Sequence, residues 1–236
     1  MTTIDEVGDR VFRISTPVPV PTMPGGFSFN QFLIVDDEPL LFHTGMRALF
    51  PGVAEAIARV MPLERLRWVS FSHVEADECG ALAELMAAAP DARPLCGRLQ
   101  AMLSIANLTD REPMVLADGE SRSLGARSVT WIDAPHVPHG WDNGFMFEST
   151  TRTLLAGDLF TQPGAGDPPV TEGDILGPSQ ALLGAMDHYA HGPNTRAVIE
   201  RLACTEPALV TAMHGSCYRG DGARLLRALA DVVQPA

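Results

Sequence analysis

Residues 71–80 read FSHVEADECG, which packs one imidazole, His73, and three carboxylates, Glu75, Asp77 and Glu78, into six positions. The run before it, WVSF, has the apolar character of a buried strand, and GALAELMAAAP after it reads as a helix halted by Pro90. Carboxylates are rarely left unpaired in such surroundings, and divalent metal ions are their usual compensation. In an extended segment the alternating positions His73, Glu75 and Asp77 would point to one side. The stretch is therefore expected to be a metal-binding loop at a strand end.

Outward from this loop, strands and helices are mixed. FNQFLIVDD and EPLLFHTG read as two strands joined by a polar turn, preceded by a Pro-rich loop, STPVPVPTMPGG. PGVAEAIARVM reads as a helix with proline in its first turn. PMVLAD, SVTWIDAP, FMFEST and RTLLAGDLF follow as strands. Residues 161–178, TQPGAGDPPVTEGDILGP, form a long Gly/Pro/acidic loop, a candidate lid. SQALLGAMDHYA, PNTRAVIERLA and DGARLLRALADVV then read as helices around a strand, PALVTAM. This order predicts an α/β fold with helices outside a sheet core.

Four candidate ligands each fall just after a predicted strand: His73, His139, Asp158 and His214. Loops at strand ends are where open sheet folds gather their chemistry, so these residues are expected to converge. Composition limits the partners. The formal net charge of −12 argues against nucleic acid or an anionic membrane as the main partner, because either needs a basic patch. The first residues, MTTIDEVGDR, lack the pattern of a signal peptide, and no apolar run is long enough for a membrane span, so a cytoplasmic protein is expected. Cys79, Cys96, Cys204 and Cys217 show no CxxC spacing and are read as reduced, structural thiols.

The pattern as a whole resembles the diiron branch of the metallo-β-lactamase superfamily. HxExD is present as His73, Glu75 and Asp77, followed by His139 in HGWD, Asp158 in GDLF and His214 after a late strand. The spacing from His139 to Asp158 is similar to that of the flavodiiron proteins. HVEADECG, PHVPHGWDNG and GDLFTQ resemble single-domain oxygen-binding diiron proteins more closely. The resemblance implies an αββα sandwich over residues 1–236, with the metal site at one edge of the sheets. It implies two iron ions: His73, Glu75 and His139 on one, Asp77 and His214 on the other, Asp158 bridging, and no catalytic residue apart from these ligands.

Around this set, His136 is an alternative ligand or a hydrogen-bonding neighbour, and His43 stands where many superfamily members have Asp. Glu78 replaces a histidine, so it either ligates, bonds a bound water or stays outside. A carboxylate-rich site favours iron or manganese over zinc in selectivity, with zinc still able to substitute. Trp141, Phe145 and Phe160 are either pocket walls or ordinary core. No Gly-rich phosphate loop follows a strand, so no flavin is expected in this chain. The leading expectation is O2 binding, as a sensor or carrier reporting to a signalling protein. The alternatives are an O2 or NO reductase fed by a separate flavoprotein, and a metal-dependent hydrolase. Self-association into a homo-oligomer stays open.

Overall fold

The computed structural model describes residues 1–21 and 23–234. One sheet holds, in spatial order, β1 (Thr3–Gly8), β2 (Val11–Val20), β3 (Met23–Ile34), β4 (Leu40–Phe42), β5 (Trp68–Ser70), β6 (Arg93–Gly97) and β7 (Met114–Leu116). Its first four strands are antiparallel, and β4 to β7 run parallel. The short helices α1 (Phe50–Ala58), α2 (Ala76–Cys79), α3 (Leu82–Ala88), α4 (Arg98–Leu103) and α5 (Ile105–Leu108) lie in its connections.

The second sheet is built from β8 (Ser121–Ser123), β9 (Ser128–Asp133), β10 (Gly144–Glu148), β11 (Thr153–Leu155), β12 (Val170–Thr171), β13 (Leu209–Thr211) and β14 (Cys217–Arg219). Their spatial order is β12-β14-β13-β11-β10-β9-β8. The helices α6 (Leu176–Met186), α7 (Thr195–Ala203) and α8 (Gly222–Val233) belong to this half.

Side-chain alternation turns these strands into layers. Phe32, Ile34, Leu40, Phe42 and Trp68 of the first sheet pack with Trp131, Met146, Leu155 and Leu209 of the second, filling the space between them. Their neighbours Leu33, Leu41 and Val69 face the other way and meet Val53, Ile57, Leu82 and Leu85 of α1 and α3. On the far side Phe145, Leu154 and Val210 meet Ile199, Leu202, Leu226 and Leu229 of α7 and α8. The period of two along each strand thus sorts adjacent apolar residues into different cores. The result is the αββα sandwich.

Two local expectations are corrected. The Pro-rich stretch is not a loop: β2 and β3 form one long hairpin in which Pro17 lies opposite Ser28 and Val18 opposite Phe27. Pairing of β1 with β2 stops at Ser15, so beyond it β2 has a free side on which Pro17 and Pro19 break no ladder bond. The segment 161–178 is stitched down rather than free as a lid. Gly164 bridges to Phe27, Arg13 Nη2 donates to the Gly166 carbonyl at 2.8 Å, and β12 pairs with β14. A Cβ at Gly166 would come within 2.3 Å of the Arg13 guanidinium, so glycine is needed there. Among the described residues no helix is long and apolar enough to cross a membrane.

Candidate metal centre

The ends of β5, β9, β11 and β13 open on one cavity, and the residues that follow them converge there. His73 Nε2 lies 2.8 Å from Glu75 Oε2, and His139 Nε2 lies 3.3 Å from both Glu75 Oε2 and Asp158 Oδ2. On the other side His214 Nε2 lies 3.3 Å from Asp77 Oδ2 and 3.4 Å from Asp158 Oδ1. Asp158 therefore faces both groups. Donor atoms of His73, Glu75, His139 and Asp158 all fall within 4.8 Å of one another, a spacing one metal ion can span.

The other ring nitrogen of each histidine is occupied. His73 Nδ1 faces Glu78 Oε2 at 3.2 Å, His139 Nδ1 donates to the His188 carbonyl at 2.8 Å, and His214 Nδ1 donates to the Ser28 carbonyl at 2.8 Å. Such partners fix the ring so that Nε2 points inward, the usual arrangement behind a metal-binding imidazole. The His214 ring is also stacked on Phe27, with centroids 4.1 Å apart. Asp158 Oδ1 is buried with no hydrogen-bond partner, a costly state for a carboxylate that a cation would relieve. The donor set of His73, Glu75, His139 and Asp158 fits a metal ion, and Asp77 and His214 stand beside it on the other face of Asp158.

Position by position, the expectations divide. The segment from His73 to Asp77 is not extended throughout: Glu75 is extended (φ −141°, ψ 156°) and α2 begins at Ala76. That helical turn aims Asp77 at His214 and sends Glu78 inward, away from the cavity. Glu78 is fully buried, accepts from the His73 backbone N–H at 2.8 Å and the Ser72 hydroxyl at 2.5 Å, and lies 3.5 Å from His43 Nε2. It stays outside the donor cluster and braces His73 from behind. His43 is buried in that same network, beside Ser72 Oγ at 3.3 Å.

His136 is exposed and takes no place in the cavity; its backbone N–H closes a turn on the Gly140 carbonyl. Of the aromatic candidates, Phe145 and Phe160 are core, and Trp141 is 57% exposed. Phe27 walls the cavity instead, with Leu182 and Met186 of α6. His188 also lines it and was missed, because nothing in DHYAH marks one histidine out from its neighbours. All four cysteines are free thiols, and Cys79, Cys96 and Cys217 are buried.

Without metal the cluster holds protons in place of cations. Burial disfavours the His73 imidazolium, but the Glu78 charge and hydrogen bonds to Glu75 and Glu78 outweigh it and push His73 up to about 11. The same contest, with Asp158 foremost among the acids, brings His139 to about 10 and His214 to about 9. Hydrogen bonds from His139 and His73 hold Glu75 down at about 2. Folded values of about 9 to 11 lie above the ordinary 6.5, so this stabilisation is fully present below pH 6.5 and is lost as pH rises through 9 to 11.

All 17 basic residues are arginine, so no lysine titration overlaps that window. The metal-free protein is therefore expected to show a falling Tm between pH 8 and pH 11 in the presence of a chelator. An unchanged Tm across that range would contradict the proton-filled cluster.

Comparison with known proteins places this geometry in a family. A model of the family described as ODP family beta lactamase matches residues 27–174. A nitric oxide reductase of Moorella thermoacetica is 28% identical over 217 residues, covering 87% of this chain and 53% of the relative. A rubredoxin-oxygen oxidoreductase of Megalodesulfovibrio gigas is 29% identical over 208 residues, covering 84% and 50%. The chain thus spans about half the length of these relatives.

In fold, the rubredoxin oxygen:oxidoreductase of Desulfovibrio gigas has a TM-score of 0.84 at 22% identity, over 98% of this chain and 61% of that one. The flavodiiron protein from Giardia intestinalis has a TM-score of 0.83 at 18% identity, over 98% and 59%. The family match takes in five of the six converging residues, all but His214, and extends over more than half of the 236 residues; the chain belongs to the ODP family of β-lactamase-like proteins.

Proposed function

We propose that residues 1–236 form one domain that reduces O2 or NO at a pair of iron ions, with electrons from a flavin-bearing donor. His73, Glu75 and His139 would hold one ion, Asp77 and His214 the other, with Asp158 between them. The cavity carries this reading. It measures about 160 Å³, and Phe27, Leu182 and Met186 give it an apolar wall facing the carboxylates and imidazoles. Sites for drug-sized ligands begin near ~300 Å³, so the space suits a ligand the size of a diatomic gas.

Bound iron would supply one-electron redox chemistry, and the carboxylate-rich donor set suits iron better than zinc. The chain's own residues do the rest. Glu78 and the carbonyls of Ser28 and His188 hold three rings so that each Nε2 faces the carboxylates. Glu75, Asp77 and Asp158 would balance cationic charge there, and Phe27 and Leu182 give the gas an apolar wall. Reduction of O2 to two waters takes four electrons and four protons; two NO to N2O and water takes two of each. The donor must supply all of these electrons. The names of the relatives are those of reductases, which supports this reading over a sensor or carrier.

The deciding experiment follows gas consumption by iron-loaded protein with NADH and a flavoprotein reductase. Steady uptake of O2 or NO in proportion to NADH is expected. A single uptake of gas per protein that then stops would overturn reduction in favour of oxygen binding and a signalling partner. Tight retention of zinc with turnover of an ester would point to hydrolysis.

A further inference from the structure

Arg13 of β2 is 1% exposed, and its guanidinium is spent on backbone rather than on an acid: Nη2 donates to the Gly166 carbonyl at 2.8 Å and to the Gly215 carbonyl at 3.0 Å. Nε has no hydrogen-bond partner, and burial pushes the group below its ordinary value. Burying a charge that is not paired with an acid is costly, and packing alone would be served by an apolar side chain. What this side chain does is join three segments. β2 supplies it, Gly166 lies in the stretch that follows Asp158, and Gly215 comes directly after His214.

Two residues of β3 complete the hold on the His214 loop. The Asn30 side-chain amide donates to the carbonyls of Ala212 and Gly215, each at 2.9 Å, and its backbone N–H donates to the Met213 carbonyl at 2.9 Å. Ser28 Oγ accepts from the Gly215 N–H at 2.8 Å, and the Ser28 carbonyl accepts from His214 Nδ1 at 2.8 Å. All of these contacts run from the first sheet to residues 212–215, beyond the end of β13 in the second. The turn they hold needs glycine: Gly215 has φ 103°, and a Cβ there would come within 2.6 Å of the Gln162 side chain.

The other half of the centre is held elsewhere. Glu78 braces His73 and the His188 carbonyl holds His139 Nδ1, contacts in which Arg13, Ser28 and Asn30 take no part. Donors of His73, Glu75, His139 and Asp158 gather within 4.8 Å of one another, whereas His214 stands with only Asp77 Oδ2 and Asp158 Oδ1, at 3.3 and 3.4 Å. The supports of the two halves are therefore separable. We propose, on the two-ion reading above, that Arg13 is a positioning residue for the Asp77–His214 half alone, anchoring the His214 loop across the sandwich so that the second ion finds its imidazole in place. The first ion binds independently of Arg13, and the hairpin of β2 and β3 sets the affinity of the second.

The test is an anaerobic titration with ferrous iron of wild type, Arg13→Met, Arg13→Lys and Asn30→Ala, following both binding steps. Arg13→Met is expected to bind the first ion as wild type does and the second about 10-fold more weakly, the lower end of the cost of losing a group that orients a ligand. Arg13→Lys keeps a charged donor for the two carbonyls and is expected to recover most of that loss. Asn30→Ala removes two donors to the loop but leaves the buried cation in place; it is expected to weaken the second ion in the same selective way, and it decides the matter if Arg13→Met does not fold. Equal weakening of both ions would overturn the proposal by making the clamp a general support of the fold. Unchanged affinity for the second ion would overturn it outright. Wild-type protein that binds fewer than two irons would sink the two-ion reading itself.

Discussion

Asp158→Ala is expected to yield a folded protein that no longer holds two coupled metal ions. Among the described residues Asp158 is the only carboxylate that reaches both histidine groups, with Oδ2 at 3.3 Å from His139 Nε2 and Oδ1 at 3.4 Å from His214 Nε2. It follows β11, which runs parallel to β13, the strand that leads to His214, so the two residues are fixed at one edge of the second sheet. In the metal-free state burial opposes its ionisation, but the close imidazoles of His139, His214 and His73 hold it well below the usual carboxylate range. Its removal leaves the His214 side with Asp77 alone. Loss of a group that merely orients a ligand costs about 10- to 100-fold in metal affinity, so loss of a bridging ligand should exceed that. Metal analysis and the magnetic signature of an iron pair read the outcome; two coupled irons in Asp158→Ala would refute the bridging role.

Glu78→Ala is expected to be the most damaging substitution for stability. One carboxylate receives the Ser72 hydroxyl and the His73 backbone N–H, and it faces His73 Nδ1 at 3.2 Å, all away from solvent. Burial opposes its ionisation, yet the imidazoles beside it and the hydrogen bond from His73 hold it below the ordinary carboxylate value. Truncation strands these donors in the interior, and breaking a buried ion pair from one side costs ~3–5 kcal/mol. Denaturant unfolding of metal-free protein measures it. A loss under ~1 kcal/mol, the scale of an exposed pair, would show that Glu78 does not brace His73. Glu78→His tests placement: no metal should be gained, because the side chain at this position points behind His73.

The α/β class and the six converging residues were legible in the sequence for a local reason. Apolar runs of strand length mark where strands end, and His73, His139, Asp158 and His214 all follow such ends. The resemblance carried by HVEADECG and GDLFTQ supplied the sandwich, which the alternation of Phe32, Leu33 and Ile34 between two cores then realises. The hairpin of β2 and β3 was hidden because its prolines look like breakers until one sees that β1 stops at Ser15 and leaves that side unpaired.

Around the cluster, distant contacts made the choices. A single helical turn after Glu75 decided that Asp77 faces the cavity and Glu78 does not, and HVEADE reads the same in either conformation. His139 rather than His136 was picked by a carbonyl 49 residues away, which also carries the His188 ring to the cavity. His214 is held by the Ser28 carbonyl from the opposite sheet. Sequence alone thus determined which residue types stand at which strand ends, because periodicity and spacing are local. Tertiary structure decided which ring nitrogen faces the carboxylates, which carboxylate turns inward and which histidines line the cavity, because hydrogen bonds between segments far apart in the chain have no local signature.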